Sequence, residues 1–427
     1  MLSQPSFPAP MPVRAMQALS ALALSFAIAA CGSTPIGTDV PAPSTSVRDS
    51  AGIRIVAAGF SRDSLTASEL LTVLDTLLDG RRPDDEAVVG LVALQPIGDS
   101  SIVMFSESGP TLIRYSTRAG DAPDTIGHHG TEPGAYGPRA TLLPFVRDTL
   151  LLWDRDAGRI SRVTADSVLG DVLLDYPMMR LAAVSGAFRD GTPIGVTVAL
   201  PAEQGAGVSR APMSLLRFTP NGAFRDTLAH VRGPERSVQI GRPGAVGDNT
   251  PVRSGSVPFG RTTLWTVGTN SVLLHDTEGC HVARHDSTGA LIMRLDFGCS
   301  IEAVTDEDRA QFLAEILSTS RSRSDSAIRR RFVDEASFPP AKSTASGLLT
   351  DPWDRIWIRL PVDNATADWV WWVFDAEGIP MVRFGLGRQW RIAAVRERDV
   401  IAVQSDRTDV PPVVVRMALP AALHRAR

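Results

Sequence analysis

The chain has 427 residues, a formal net charge of −4, 44% hydrophobic and 21% charged residues. That length makes two or three ordinary domains or one large all-β domain. The charge balance argues against a globally basic nucleic-acid binder, and the apolar share excludes a chain too polar to bury a core.

Residues 16–30 (MQALSALALSFAIAA) form an uncharged run behind Arg14, the pattern of a secretory signal and too short for a comfortable membrane span. The run leads into Ile28-Ala29-Ala30-Cys31, which resembles the bacterial lipobox. The resemblance implies that residues 1–30 are a lipoprotein signal peptide, cut away once the Cys31 thiol is acylated. The expected location is the bacterial cell envelope, with the membrane engaged through the lipid on Cys31. Gly32 after the cysteine resembles the outer-membrane class, facing the periplasm. An ordinary secretory signal with an incidental cysteine is the plainer alternative. Residues 31–48 are rich in Ser, Thr, Pro and Gly and read as a flexible tether.

From residue 49 to 427 a repeat dominates. Asp75-Thr76-Leu77 stands 24 residues before Asp99, and Asp124-Thr125-Ile126 stands 24 before Asp148. A turn residue followed by an apolar run recurs at Asp99, Asp148, Asp190, Asn270, Asp354 and Asp399. Asp and Asn close tight turns by bonding nearby backbone, and the runs after them favour strands. Three glycine hairpins, ending at Gly222, Gly289 and Gly378, join further strand pairs. Each unit therefore reads as four antiparallel strands, the pattern of a propeller blade.

Two gaps between units are long. The first contains Gly/Pro-rich stretches at 201–211 and 233–258, which read as loops. The second, about 304–336, holds the helical signals: Thr305 with Asp308 as a capping box, and an apolar stripe of Phe312, Leu313, Ile316 and Leu317. A second short helix is expected from about Asp325 to Ala336, carrying Arg329, Arg330 and Arg331, before Pro339-Pro340. Those arginines read as a solvated face, with contact to a partner or lipid headgroup the less favoured reading. The sixth unit lacks one strand, which Leu71–Leu78 can supply, and Gly52–Ala57 is expected to pack nearby.

The opening SAGIRIV (50–56), the inter-blade GHHGTEPGAY (127–136), LLTDPWDRIWIR (348–359) and WWVFDAEG (371–378) resemble the bacterial six-bladed β-propeller lipoproteins, relatives of NHL- and TolB-type propellers. The resemblance covers nearly the whole mature chain. It implies an all-β, six-bladed propeller with a small helical insertion, and hardly any chemistry. Glu132 stands where glycine is more common.

Besides Cys31 the chain has Cys280 and Cys299. Cys280 opens one strand-like run and Cys299 closes the next, so a hairpin brings them to one end of a sheet. One disulfide is expected, with two buried thiols as the alternative.

No GxSxG elbow, HExxH, Walker loop, Rossmann pattern or EF-hand loop occurs. His128-His129 are neighbours on an extended segment and face opposite ways, which suits an inter-blade turn better than a metal. His275, His281 and His285, with Asp276, Glu278 and Asp286, could gather around a metal, although a solvated strand face is the simpler account. Trp357, Trp369, Trp371, Trp372 and Trp390 read as packing between blades; at a channel mouth they could instead bind sugar or peptide. No metal site or cofactor is assigned. The favoured function is a membrane-anchored module that binds a protein, peptide or glycan. The alternative is a calcium-dependent lactonase-like hydrolase in the central channel, with the ion polarising a carbonyl.

Overall fold

The computed structural model describes residues 45–59, 69–82, 90–98, 100–106, 111–117, 122–132, 134–146, 148–177, 181–197, 207–240, 252–318, 322–335, 337–361, 368–404 and 411–424. The expected signal peptide, Cys31 and most of the tether lie outside them.

Six sheets succeed one another along the chain. Blade one comprises Leu91–Ile97, Ser101–Ser106, Thr111–Ser116 and Asp124–Ile126. Blade two comprises Ala140–Val146, Thr149–Asp154, Arg159–Val163 and Val168–Leu173. Blade three comprises Leu181–Ala187, Pro193–Thr197, Gly207–Phe218 and Phe224–Ile240. Blade four comprises Thr263–Val267, Ser271–Asp276, His281–Asp286 and Leu291–Asp296. Blade five comprises Gly347–Thr350, Ile356–Arg359, Trp369–Phe374 and Pro380–Leu386. Blade six has Trp390–Val395, Asp399–Gln404 and Val413–Ala418, and takes Val73–Asp79 as its fourth strand.

Packing explains the apolar runs. In blade two, Leu150 and Leu152 face blade one, while Leu151 and Trp153 face blade three. In blade one, Val103 and Phe105 face blade two, and Ile102 and Met104 face blade six. A strand buried on both faces reads as a continuous apolar run, where a half-buried one would alternate. A cluster of this kind fills every junction between consecutive blades, including blade six against blade one. The sheets therefore close a ring, a six-bladed β-propeller with a small helical insertion, as the sequence predicts.

Ring closure joins distant parts of the chain. Val413 lies opposite Asp79 and Val415 opposite Thr76, and Arg416 pairs with Asp75 at 2.6 Å. Gly52–Ala57 does not pack at that junction. Ile53–Ala58 instead adds in parallel to Leu291–Asp296 at the outer edge of blade four, and Thr45–Ser50 pairs outside it. That edge offers unpaired backbone groups and a pocket for Val56, which is 0% exposed among Met293, Leu295 and Trp372. The outermost strand takes up the last residues of the expected tether, because strand pairing satisfies backbone that composition alone would leave in solvent.

Because the strands alternate in direction, turns from first to second and from third to fourth strands share one end of the ring, here called the lower end. Connections from second to third strands, and from each blade to the next, share the upper end. The turn residues Asp148, Asp190, Asn270, Asp354 and Asp399 lie at or beside the lower turns, while Asp99 is outside the described residues. Asp375 Oδ1 accepts the amides of Glu377 (3.0 Å) and Ile379 (2.8 Å), the self-bonded turn that such residues favour. Gly222 has φ 86°, and a Cβ there would stand 1.9 Å from the Leu173 carbonyl oxygen.

Within the expected loops at 201–211 and 233–258, the described residues 207–211, 233–240 and 252–256 are strand. Gly207–Phe218 and Phe224–Ile240 form one long hairpin that runs past the blade at the upper end, with Val252–Ser256 added at its edge. Pro212 falls at a register shift, where a missing amide costs least.

Candidate functional site at the upper end of the ring

The upper end collects what the lower turns lack. The connection from blade four to blade five holds α1 (Asp306–Ser318) and α2 (Arg323–Glu335). Thr305 and Asp308 make the expected capping box: Asp308 Oδ2 accepts the Thr305 amide at 2.8 Å, and Thr305 Oγ1 accepts the Asp308 amide at 3.2 Å. Phe312 of the apolar stripe packs against Phe259 (ring centroids 5.8 Å) and Phe338 (6.3 Å). Lys342 Nζ reaches Asp308 at 2.8 Å, tying the exit of the insert to its entrance.

The arm of blade three leans on blade four through ions. Arg210 pairs with Asp276 at 2.8 Å and Glu278 at 3.0 Å; Arg232 pairs with Glu278 at 2.9 Å; Arg261 pairs with Glu235 at 2.7 Å. Beside this network lies a cleft of about 430 Å³ bordered by His230, Arg232, Thr263, Asp276 and His281.

His275, His281 and His285 neither gather around one point nor form the solvated face that was the simpler expectation. His275 is 0% exposed, with Nδ1 2.8 Å from the His281 carbonyl and Nε2 3.1 Å from Thr344 Oγ1. Burial pushes its pKa down, as it does for His281. His285 Nδ1 bonds the Gly289 carbonyl at 3.0 Å. Asp276 and Glu278 are held by arginines, and Asp286 closes its own turn on the Thr288 amide at 2.8 Å. Among the described residues no three His, Cys, Asp or Glu side chains are placed to hold a metal ion.

His128 and His129 are exposed in a two-residue strand paired with Ala135–Tyr136. His128 Nε2 lies 2.7 Å from Glu132 Oε1, and Oε2 of that glutamate accepts the Thr131 amide at 2.9 Å. Glu132 thus braces the loop from inside. Tyr136 is buried and stitches blade one to blade two, its hydroxyl accepting the Leu112 amide (2.8 Å) and donating to the Ile126 carbonyl (3.1 Å).

Cys280 and Cys299 are joined by a disulfide, with Cα atoms 5.4 Å apart, at the upper ends of the third and fourth strands of blade four. The bond sits where the chain leaves the sheet for the helical insert.

The tryptophans divide by face. Trp357 and Trp371 fill the junction of blades five and six, and Trp372 fills that of blades four and five. Trp369 and Trp390 are only partly buried and reach the upper rim. The Arg359 guanidinium stands 4.4 Å from the centre of the Trp369 ring and that of Arg388 5.2 Å from it, both within cation–π range. Arg388 also approaches Glu315 of α1 at 3.9 Å.

The first strands of the blades line the axis. Their sequences are LVALQPI, ATLLPFV, LAAVSGA, TLWTV, GLLT and WRIAAV. They carry no Asp, Glu, Asn or His, and one charged residue, Arg391. Calcium takes six to eight oxygen ligands, carboxylates prominent among them; these six strands supply no carboxylate. Arg391 was not distinguished in the sequence, since its position on an axial strand is a property of the ring.

No protein-family model matches the chain, and no curated protein matches it. Among solved structures it is similar to a member of the DUF4221 family from Bacteroides vulgatus, at 8% identity and TM-score 0.45, covering 81% of this chain and 97% of that one. It is similar to virginiamycin B lyase from Staphylococcus aureus, at 9% identity and TM-score 0.37, covering 82% and 100%. It is also similar to a gluconolactonase from Xanthomonas campestris, at 12% identity and TM-score 0.35, covering 84% and 93%. Likeness at this level does not carry those activities over to this chain.

Proposed function

We propose that this protein is a lipid-anchored propeller of the bacterial cell envelope that binds a protein, peptide or glycan at the upper end of its ring. The observation that carries the reading is the rim built up by the arm, the insert and partly buried tryptophans, above six axial strands that carry no carboxylate or imidazole. Strand Thr45–Ser50 begins opposite Ala58, at the upper end, so the preceding segment joins the domain at that same rim. An acyl group on Cys31 would hold the rim within a short tether of the outer membrane, on the periplasmic side.

Two measurements test this. Mass spectrometry of the exported protein is expected to find Cys31 acylated and residues 1–30 absent; an unmodified Cys31 removes the anchor. A photo-crosslinker is placed at exposed Glu315 on the upper end, or at exposed Thr288 on the lower. In intact envelopes, adducts are expected from Glu315 only. Adducts from Thr288 alone, from neither position, or calcium-dependent hydrolysis of simple lactones by the purified protein would overturn the binding reading.

A further inference from the structure

The outer strand of blade three, Phe224–Ile240, runs along the flank of blade four. Two stretches of its free edge are covered. Toward the lower end a blade-four hairpin presses on it: a Cβ at Gly289 would stand 3.1 Å from the Leu228 carbonyl oxygen, and Arg217 donates to the Ser287 carbonyl. Toward the upper end the Glu235 amide donates to the Arg261 carbonyl at 2.7 Å, and Val252–Ser256 pairs with the strand from Arg236 onward. Between these stretches lies the cleft of about 430 Å³ beside His230.

The register fixes what His230 offers to that cleft. Ser214 stands opposite His230 and sends its own amide to Thr197 Oγ1 at 2.7 Å, away from the outer strand. Facing residues of an antiparallel pair exchange both backbone bonds or neither. The His230 N–H and C=O therefore point out of the free edge. Arg232, two residues on, shows the same direction, since its carbonyl accepts Thr263 Oγ1 of blade four at 2.7 Å. Neither backbone group of His230 has a partner among the described residues. Leu274 and Ala283, paired across neighbouring strands of blade four, give the cleft an apolar floor. Asp276 Oδ1 is taken by Arg210 (2.8 Å) and the Glu278 amide (3.1 Å), while Oδ2 has no partner among the described residues. The arginines beside it, Arg210 and Arg232, are engaged by Asp276 and Glu278.

An outward N–H and C=O on one residue match a single residue of an extended peptide, which exchanges two hydrogen bonds with the residue opposite. An edge covered on both sides admits a chain end and excludes a long strand. The open carboxylate oxygen selects an ammonium over a carboxylate. We propose that this cleft binds the amino end of a peptide: its first residues pair with the His230 backbone, a small apolar side chain rests on Leu274 and Ala283, and the ammonium meets Asp276. This rests on the binding reading above and specifies the ligand and its point of entry.

The test uses the full exported protein in detergent, with trialanine amide as probe and its N-acetylated form as control, read by calorimetry. Saturable 1:1 binding of trialanine amide is expected, at least tenfold weaker once the amine is acetylated. His230→Pro removes the outward N–H, which the ladder to Ser214 does not use, and should weaken binding at least tenfold. His230→Ala keeps that N–H and should bind as the wild type does. Ala283→Leu fills the floor and should weaken binding also; if His230→Pro does not fold, Ala283→Leu decides. No saturable binding of trialanine amide, equal affinity for the acetylated peptide, equal loss in His230→Ala and His230→Pro, or wild-type affinity in the deciding variant overturns the site. The crosslinking at Glu315 is independent of this result: adducts there with no peptide binding in the cleft would leave the binding module standing and remove only this site.

Discussion

Asp351 offers the sharpest test of how blade five is held. Its side chain is 0% exposed. It accepts the amides of Trp353 (3.0 Å) and Arg355 (3.1 Å), the Trp357 indole N–H (2.8 Å) and the Arg355 Nε–H. Arg355 Nη1 then donates to the Leu423 carbonyl at 2.7 Å, fastening the C-terminal turn to the lower end of the ring. Asp351→Ala leaves the buried guanidinium without its counter-charge and several buried donors without an acceptor. Breaking a buried pair in this way costs about 3–5 kcal/mol. Removing both partners, as in Asp351→Ala with Arg355→Met, deletes the stranded charge, so the double variant should be more stable than Asp351→Ala alone. Urea unfolding followed by tryptophan fluorescence provides the assay. With a slope of about 3 kcal/mol per molar, the single variant's midpoint should fall by about 1–1.7 M. A single-variant loss below about 1 kcal/mol, or a double-variant loss equal to the sum of the two singles, would refute the argument.

Three further outcomes follow from local geometry. Replacing Cys280 and Cys299 by serine opens a loop spanning a sequence separation of 19, for which chain entropy gives a loss of about 3 kcal/mol, measurable in the same unfolding assay. Gly222→Ala combines a positive φ, costing about 1–2 kcal/mol, with a Cβ driven into the Leu173 carbonyl, and should lower the melting temperature more than Gly52→Ala, where a Cβ meets nothing within 4 Å. His275 is buried with its pKa lowered, so below the unfolded value of 6.5 the unfolded chain binds protons that the folded one refuses. Stability should thus be full above pH 6.5 and decline as pH falls toward the folded pKa, with a shallower decline in His275→Asn.

The blades were legible in the residue pattern. A second strand buried on both faces must be apolar without interruption, as in Ile102–Phe105 and Leu150–Trp153, and a turn residue must precede it; both rules act between neighbours in the chain. The capping box at Thr305 and Asp308 and the hairpin at Gly222 are local codes of the same kind. Even the missing strand of blade six was legible, since the spacing of Asp75-Thr76-Leu77 repeats that of the next unit. Which edge took Ile53–Ala58 was set in three dimensions, because any outer strand offers similar unpaired backbone; at blade four Val56 is buried in the cluster with Met293, Leu295 and Trp372. The tertiary structure also made Gly207–Phe218 and Phe224–Ile240 an arm, held in part by Arg210 on Asp276, 66 residues away. Closure of the ring, set by contacts far apart in sequence, made Trp390–Val395 an axial strand and Arg391 its lone charge.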